Sequence, residues 1–150
     1  MITELTLGII KPDAVYNCHT GGVITAASAA GFDLVDMKMC YLTKAQACDF
    51  YIEHKDKHFY NRLTDFMSSC PSIFMVLKKP NAIEDWRELI GPTSIDDARE
   101  KSPMSIRAKF GRLARPLHEN VVHGSDSPKS AARELNYFYD ELYYYRGRYI

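Results

Sequence analysis

The hydrophobic positions of the chain fall into four segments of strand length. In residues 5–10 and 34–39 apolar side chains recur at about every second position, which is typical of a strand with a buried face. Residues 73–77 are apolar throughout and predict a central strand. Two β-branched residues, 121–122, predict a last short strand directly before His123.

Segments with helical signals separate these strands. Gly31 is suited to end a helix, and Thr43 is suited to begin one. The order β-α-β-α-α-β-α-loop-β-α reduces to β-α-β-β-α-β. We therefore predict an α+β fold, a ferredoxin-like βαββαβ antiparallel sheet with helices on one face, although the pattern leaves the strand pairing open. The predicted helices cover residues 22–30, 43–53, 59–67, 82–90 and the stretch after Ser127.

Two segments do not fit this pattern. Residues 93–116 have weak periodicity and four arginines, and so long an irregular segment in a compact domain is either functional or disordered. We interpret it as a binding loop. Six of the ten tyrosines lie in residues 137–149. We therefore predict one domain, residues 1–139, and a tyrosine-rich tail, residues 140–150, that packs on its own or a neighbouring subunit.

Composition narrows the class of protein. A length of 150 residues fits a single domain. Nineteen basic and nineteen acidic side chains cancel, so no overall field recruits nucleic acid or an anionic membrane, and we expect neither as a partner. The four cysteines form no C-x-x-C pair or zinc-like spacing, and the first residues do not have the pattern of a signal peptide. These features lead us to expect a cytoplasmic protein.

The most informative stretch for chemistry begins at His123. Gly124 follows it, either Ser127 or Asp126 could cap a helix, and Pro128 is suited to the first position of that helix. A helix N-terminus attracts anions such as phosphate. Glu134 lies seven residues beyond Ser127, about two helical turns, and could turn back to orient the imidazole as a nucleophile. Taken alone, however, a histidine near a helix start is more often a cap or a satisfied polar group.

Five separated motifs reduce the weight of that alternative. The stretch H-G-S-D-S, residues 123–127, resembles the active-site signature of the nucleoside diphosphate kinases. The opening L-G-I-I-K-P-D-A-V resembles the start of the same family. F-Y-I-E-H-K-D-K-H-F-Y, W-R-E-L-I-G-P-T and S-I-R-A-K-F-G follow in the family's order. The resemblance runs from about Leu5 to about Tyr139 and implies the same ferredoxin-like fold.

The resemblance implies an enzyme that moves a γ-phosphate between nucleotides. His123 would take this phosphate from a nucleoside triphosphate such as ATP and pass it to a nucleoside diphosphate, through a phosphohistidine ping-pong. Mg²⁺ would be carried by the nucleotide, with no dedicated protein metal site. The remaining positions that match nucleotide-binding residues of the family are Arg87, Thr93 and Arg107 for the phosphates and Lys11 and Asn120 for the ribose hydroxyls.

Other matching positions would shape the pocket and the histidine. Tyr51 would line the site beside the imidazole, and Phe59 would offer a face for stacking against the base. Ser125 and Glu134 would orient the imidazole. His54 matches a position where some relatives contact phosphate. Taken alone, Phe59 could equally belong to the core, and Arg87 could be a surface charge.

Several features depart from the main group of the family. Residues 86–107 look most like the divergent members, particularly the sixth type. The segment between Arg107 and Asn120 is a few residues longer, and the tyrosine-rich tail has no counterpart. We expect a homo-oligomer, a hexamer or smaller. The alternative to an enzyme is a nucleotide-binding or scaffold module of the same fold with little turnover.

Overall fold

A four-stranded antiparallel sheet forms the centre of the computed structural model, which describes residues 2–145. The strands are β1 (Thr3–Ile10), β2 (Asp33–Cys40), β3 (Ser72–Pro80) and β4 (Val122–Gly124). Their order across the sheet is β2-β3-β1-β4, and every neighbouring pair is antiparallel. The predicted ferredoxin-like α+β fold is confirmed.

Helices cover both faces of the sheet, where we expected them on one. Ile73, Met75 and Leu77 of β3 belong to one buried cluster, whereas Phe74 and Val76 belong to the other. Successive side chains of a strand point to opposite faces, so a strand that is apolar throughout needs a cover on each face. The continuous apolar run of β3 is the sequence feature that indicates burial of the strand on both faces.

The helices are α1 (Pro12–Tyr16), α2 (Thr20–Ala29), α3 (Lys44–Phe50), α4 (Tyr60–Met67), α5 (Ala82–Ile90), α6 (Ile95–Lys101), α7 (Ile106–Phe110) and α8 (Pro128–Tyr137), with a 3-10 turn at Ile52–His54. The five predicted helices correspond to α2, α3, α4, α5 and α8. One face of the sheet packs against α1, α2, α5 and α7, and the other packs against α3, α4 and the C-terminal segment.

The prediction that residues 93–116 form an irregular loop was wrong in part, because this segment contains α6 and α7. The hydroxyl of Ser94 accepts a hydrogen bond from the backbone of Asp97, and Ser105 caps α7 in the same way. Ile95 and Ile106 are buried. The apolar positions of these two helices are too few to show a helical periodicity, whereas α3, which has the same length as α6, was predicted with the help of the cap at Thr43.

The chain around His123 follows the expected order. β4 includes His123 and Gly124 and does not end before them. The hydroxyl of Ser127 then accepts a hydrogen bond from the backbone of Ser130, and Pro128 is the first residue of α8. The predicted cap and helix are therefore confirmed, and they aim the first turns of α8 back across the end of β4.

The C-terminal segment packs on the body of its own chain. Phe138–Leu142 forms a π-helical turn, and the ring of Phe138 stacks on Phe74 at 6.0 Å between centroids. Lys38 Nζ donates to the carbonyls of Leu142, Tyr143 and Tyr145 at 2.5–2.7 Å. Residues 146–150 of the predicted tail lie outside the described residues, and the boundary at residue 139 stays a prediction.

Between residues 2 and 145 no helix is long and apolar enough to cross a membrane.

Candidate active site

His123 meets the carboxylate of Glu134 at the end of the sheet. Its Nε2 lies within hydrogen-bonding contact of Glu134 Oε1, which α8 brings back from two helical turns further along the chain. Glu134 is buried; burial acts to raise its pKa, but the facing His123, with Ser125 and Arg133, lowers it below the usual value. An ionised Glu134 can only accept a hydrogen bond, so Nε2 carries the proton and donates it in that bond, and this leaves the lone pair on Nδ1.

Aromatic side chains enclose the imidazole. The rings of Phe50 and Tyr51 lie nearly perpendicular to it, at 5.6 and 5.9 Å between centroids. Trp86 Nε1 donates to the backbone carbonyl of His123 at 3.1 Å. Burial, with the charge of Glu134, raises the pKa of Tyr51, so its phenol stays neutral. Sequence reasoning missed Phe50 and Trp86 because apolar side chains on a helix predict only a core.

Ser125 lies beside Glu134. Its hydroxyl is buried, and within residues 2–145 neither this hydroxyl nor Glu134 Oε2 has a partner at hydrogen-bonding distance. Ser125 nevertheless contributes to lowering the pKa of Glu134, which requires its hydroxyl to be near the carboxylate. The predicted role of Ser125 in orienting the imidazole therefore stays a prediction, and this placement next to Glu134 is compatible with it.

Lys11, Asn120 and Thr93 meet in a second group. Lys11 follows the last residue of β1, and its Nζ donates to Asn120 Oδ1 at 2.8 Å and to the carbonyl of His118 at 2.7 Å. The amide of Asn120 donates to the carbonyl of Thr93 at 3.0 Å. Burial, followed by the nearby charge of Arg107, lowers the pKa of Lys11 to about 7. Binding an anion here would favour the charged ammonium.

Arg107 has a structural role that the sequence did not indicate. Its guanidinium donates to the carbonyls of Gly91 at 2.8 Å, Asn120 at 3.1 Å and Val122 at 2.8 Å. Burial, and then the charge of Arg87, lowers its pKa to about 10. A guanidinium has five N–H donors, so one remains on each terminal nitrogen for another acceptor. The motif pattern could not reveal the three carbonyl partners.

Arg87, Phe59 and His54 stand at the edges of the site. Arg87 is exposed on α5, and its charge lowers the pKa of both Arg107 and Asp126. Phe59 is half-buried before α4, with its ring 5.6 Å from that of His54. His54 in turn stacks on Tyr51 at 6.3 Å. A continuous chain of rings therefore links Phe59 to the imidazole of His123.

Asp13 was missed by sequence reasoning. Its Oδ2 accepts the backbone N–H of Val121 at 2.9 Å, two residues before His123. Burial raises its pKa, although the charge of Lys11 acts in the opposite direction. An acidic residue directly after Lys11-Pro12 was the available signal, but its partner lies 108 residues away and no local pattern identifies it.

The combined arrangement is suited to nucleophilic chemistry on a phosphate. One imidazole nitrogen is held by a buried carboxylate, and the other carries the lone pair. Cationic side chains approach from β1, α5 and α7, through Lys11, Arg87 and Arg107. Preorganised cations of this kind stabilise the charge of a transferring phosphoryl group. No cluster of three or more His, Cys, Asp or Glu side chains suited to a metal occurs in the described part of the chain.

Known proteins resemble this chain over nearly its full length. The family model for nucleoside diphosphate kinase matches residues 4–143. A nucleoside diphosphate kinase of Salinibacter ruber is 49% identical over 141 residues, which are 94% of this chain and 95% of that protein. One from Trichlorobacter lovleyi is 47% identical over 139 residues, covering 93% and 96%. The crystal structure of the Aquifex aeolicus nucleoside diphosphate kinase superposes with a TM-score of 0.88 at 38% identity, covering 94% of this chain and 98% of that one.

The lowered pKa of Lys11 predicts how stability depends on pH. Between pH 7 and pH 10.5 the unfolded chain keeps a proton on Lys11 that the folded protein has lost, because the pKa is about 7 in the fold and has its ordinary value of 10.5 in the unfolded chain. Raising the pH through this window should therefore raise the free energy of unfolding of the wild type relative to Lys11→Met. Urea unfolding at several pH values measures this difference.

The exposed Lys109→Met variant is the control, and it should follow the pH dependence of the wild type. A constant difference between wild type and Lys11→Met across the window would show that Lys11 titrates normally in the fold.

Proposed function

The chain belongs to the nucleoside diphosphate kinase family, and on this premise we propose which residues perform its reaction. It is a phosphotransferase that moves the γ-phosphate of a nucleoside triphosphate to a nucleoside diphosphate. We propose that His123 is the residue phosphorylated between the two half-reactions. The contact of its Nε2 with Glu134 carries this proposal, because it leaves Nδ1 as the nucleophilic atom.

Each half-reaction moves one phosphoryl group. In the first, Nδ1 of His123 attacks the γ-phosphorus, the bond from that phosphorus to the bridging oxygen breaks, and the nucleoside diphosphate leaves with the electron pair. In the second, a terminal phosphate oxygen of another nucleoside diphosphate attacks the phosphohistidine, and the imidazole is released. Glu134 balances the positive charge that the imidazole gains when it is phosphorylated.

The cations would bind the nucleotide around this step. Arg87, Thr93 and Arg107 would hold the phosphates. Arg107 would use the two N–H groups of its terminal nitrogens that do not donate to the carbonyls of Gly91 and Val122. Lys11 and Asn120, already bonded to each other, would bind the ribose hydroxyls, with Lys11 near the transferred phosphate. The pKa values of Lys11 and Arg107 are lowered mainly by burial and then by a neighbouring arginine, and this supports the assignment because an anion would offset both effects.

Kinases of nucleotides generally need a divalent metal, and we propose that it is Mg²⁺ bound to the nucleotide. Mg²⁺ prefers phosphate oxygens and water to an all-protein cage. The side chains Lys11, Arg87 and Arg107 repel a bare cation, so the ion would enter with the phosphates that it neutralises. When bound, Mg²⁺ would reduce the charge on the transferring phosphoryl group.

Nucleotides are the substrates, and we propose a cytoplasmic homo-oligomer. The four cysteines have free thiols, which supports a reducing compartment.

β2 is an edge strand with exposed Leu34, Val35, Met37 and Met39, and an apolar sheet edge supports pairing with another copy of the chain. A main-chain partner for this edge would cover both its free N–H groups and its apolar side chains.

Removing His123 tests the relay. We expect His123→Ala to lose phosphotransfer by at least about 1,000-fold while it stays folded, because the variant lacks the imidazole nitrogen that attacks the phosphorus. Intact mass after brief incubation with ATP and Mg²⁺ should show one acid-labile phosphate on the wild type, discharged by GDP and absent in the variant. Incubation with a chelator in place of Mg²⁺ should also prevent it.

An adduct on His123→Ala would contradict the assignment of the nucleophile. Nucleotide binding without an adduct on the wild type would favour the binding module with little turnover.

Removing the ring of Phe59 tests base stacking. We expect Phe59→Ala to weaken the binding of ADP, GDP and CDP by a similar amount, about 1–3 kcal/mol each, because every base has a stacking face. Calorimetric titration measures the three affinities. Phe110→Ala, which removes a half-buried ring from the other face of the sheet, should leave them unchanged. A loss confined to one base would show that Phe59 is not a shared platform.

Charges on the edge strand test the assembly. We expect the wild type to be oligomeric by light scattering, and the double variant Met37→Glu, Met39→Glu to have a lower mass, because a buried unpaired carboxylate is strongly unfavourable. Met104→Glu, at another methionine that is 74% exposed, should keep the wild-type mass. A monomeric wild type, or equal masses for all three proteins, would overturn the role of β2.

A further inference from the structure

The imidazole of His123 lies between two parts of the chain that have no local connection. One part is the end of α3 and the 3-10 turn after it, which carries Phe50, Tyr51 and His54. The other part is α8, which carries Glu134. The first encloses the ring of His123 and the second holds its Nε2. The geometry of the nucleophile therefore depends on how these parts are fastened to each other.

Arg133, the residue directly before Glu134, fastens them. Its Nη2 donates to the carbonyl of Phe50 at 2.9 Å, and its Nε pairs with Glu53 Oε1 at 3.2 Å. Phe50 is the last residue of α3, and the carbonyls of a helix end have no partner within the helix. Arg133 reaches the two acceptors from two different nitrogens of its planar guanidinium, a fixed geometry that the single ammonium of a lysine does not reproduce.

Glu53 receives a second bond from α8. The hydroxyl of Ser130 donates to its Oε2 at 3.4 Å, so both oxygens of the carboxylate are held by the same helix. The guanidinium of Arg133 also lies 5.9 Å from the centre of the Phe50 ring, which in turn packs edge-on to His123. The residues Arg133, Glu53 and Ser130 thus form one connection, which we name the α8 clamp.

We propose that Arg133, through the α8 clamp, is a positioning residue for phosphoryl transfer: it fixes the wall of Phe50 and Tyr51 against the helix that holds His123. This inference rests on the proposed role of His123 as the phosphorylated residue. Arg133 acts through Phe50 and Glu53, and it needs no contact with the nucleotide. Its loss should therefore slow the chemical step while nucleotide binding stays close to normal.

The α8 clamp is partly exposed, and this separates its effect on rate from its effect on stability. The side chains of Arg133 and Glu53 are 31% and 41% exposed, and ion pairs of this exposure contribute little to folding. Misplacing a reacting group by about 1 Å, in contrast, can cost about 100-fold in rate. A variant can consequently stay folded and still be slow.

Lys44 offers a matched control on the same helical hairpin. Its Nζ bonds Thr64 Oγ1 at 2.7 Å and Asp65 Oδ1 at 2.5 Å, and so fastens α3 to α4. It has the same kind of charged connection as Arg133 but does not reach α8. Lys44→Ala loosens the hairpin without separating it from Glu134.

The experiment measures phosphohistidine formation by rapid quench at saturating ATP and Mg²⁺. We expect Arg133→Ala to lower the first-order rate about 10-fold, with the dissociation constant for ADP changed less than about 2-fold. Arg133→Lys should recover only part of the rate. Combining Arg133→Ala with Glu53→Gln should cost no more than Arg133→Ala alone, because both remove one connection. Lys44→Ala should react at the wild-type rate.

Two results would overturn the inference. One is a wild-type rate in Arg133→Ala, and the other is an equal loss of rate in Lys44→Ala, which would assign the effect to general loosening. Failure of the proposed function is a separate observation, since the wild type itself would then carry no phosphate that His123→Ala removes.

Discussion

The buried guanidinium of Arg107 sets the position of the residues around it. It bonds the carbonyls of Gly91, Asn120 and Val122, which come from the end of α5 and from the approach to β4. Because the N–H groups of a guanidinium lie in one plane at fixed angles, the three carbonyls are fixed relative to one another. Val122 precedes His123, and Asn120 binds Lys11. The nucleophile and the nearest lysine thus depend on one side chain.

This arrangement concentrates positive charge where little water can screen it. Burial and the nearby charge of Arg107 lower the pKa of Lys11, and the bonded partners of both side chains are neutral oxygens. Asp13 is the carboxyl whose charge acts to raise the pKa of both cations, but burial raises its own pKa. A site with buried cations and so little compensating charge favours a polyanion, and this explains why phosphates suit it better than a neutral ligand does.

Local patterns were sufficient for part of the site and insufficient for the rest. The seven-residue spacing from Ser127 to Glu134 predicted a helix that turns back on His123, because capping and helical period are local properties. α6 and α7 were not predicted because each of them buries only two apolar side chains. The resemblance predicted Arg107 as a ligand for phosphate, but its three carbonyl partners come together only when segments distant in sequence meet. The contacts of Arg133 could not be predicted for the same reason, because its partner Glu53 lies 80 residues earlier.

The two groups of the site differ in how their polar atoms are satisfied. Lys11, Asn120 and Arg107 are bonded to the chain itself, so their positions are set before any ligand arrives. Around the imidazole, in contrast, the hydroxyl of Tyr51 and Glu134 Oε2 are buried without a hydrogen-bond partner among residues 2–145. Unsatisfied buried polar atoms are uncommon in folded proteins and concentrate where function requires them. Fixed cations bind charge without reorganising, whereas the free phenol and carboxylate oxygen can respond as charge moves onto the imidazole. The proposed relay would need both properties, because the nucleotide phosphates would have to bind the same cations in both half-reactions while the charge of His123 changes between them.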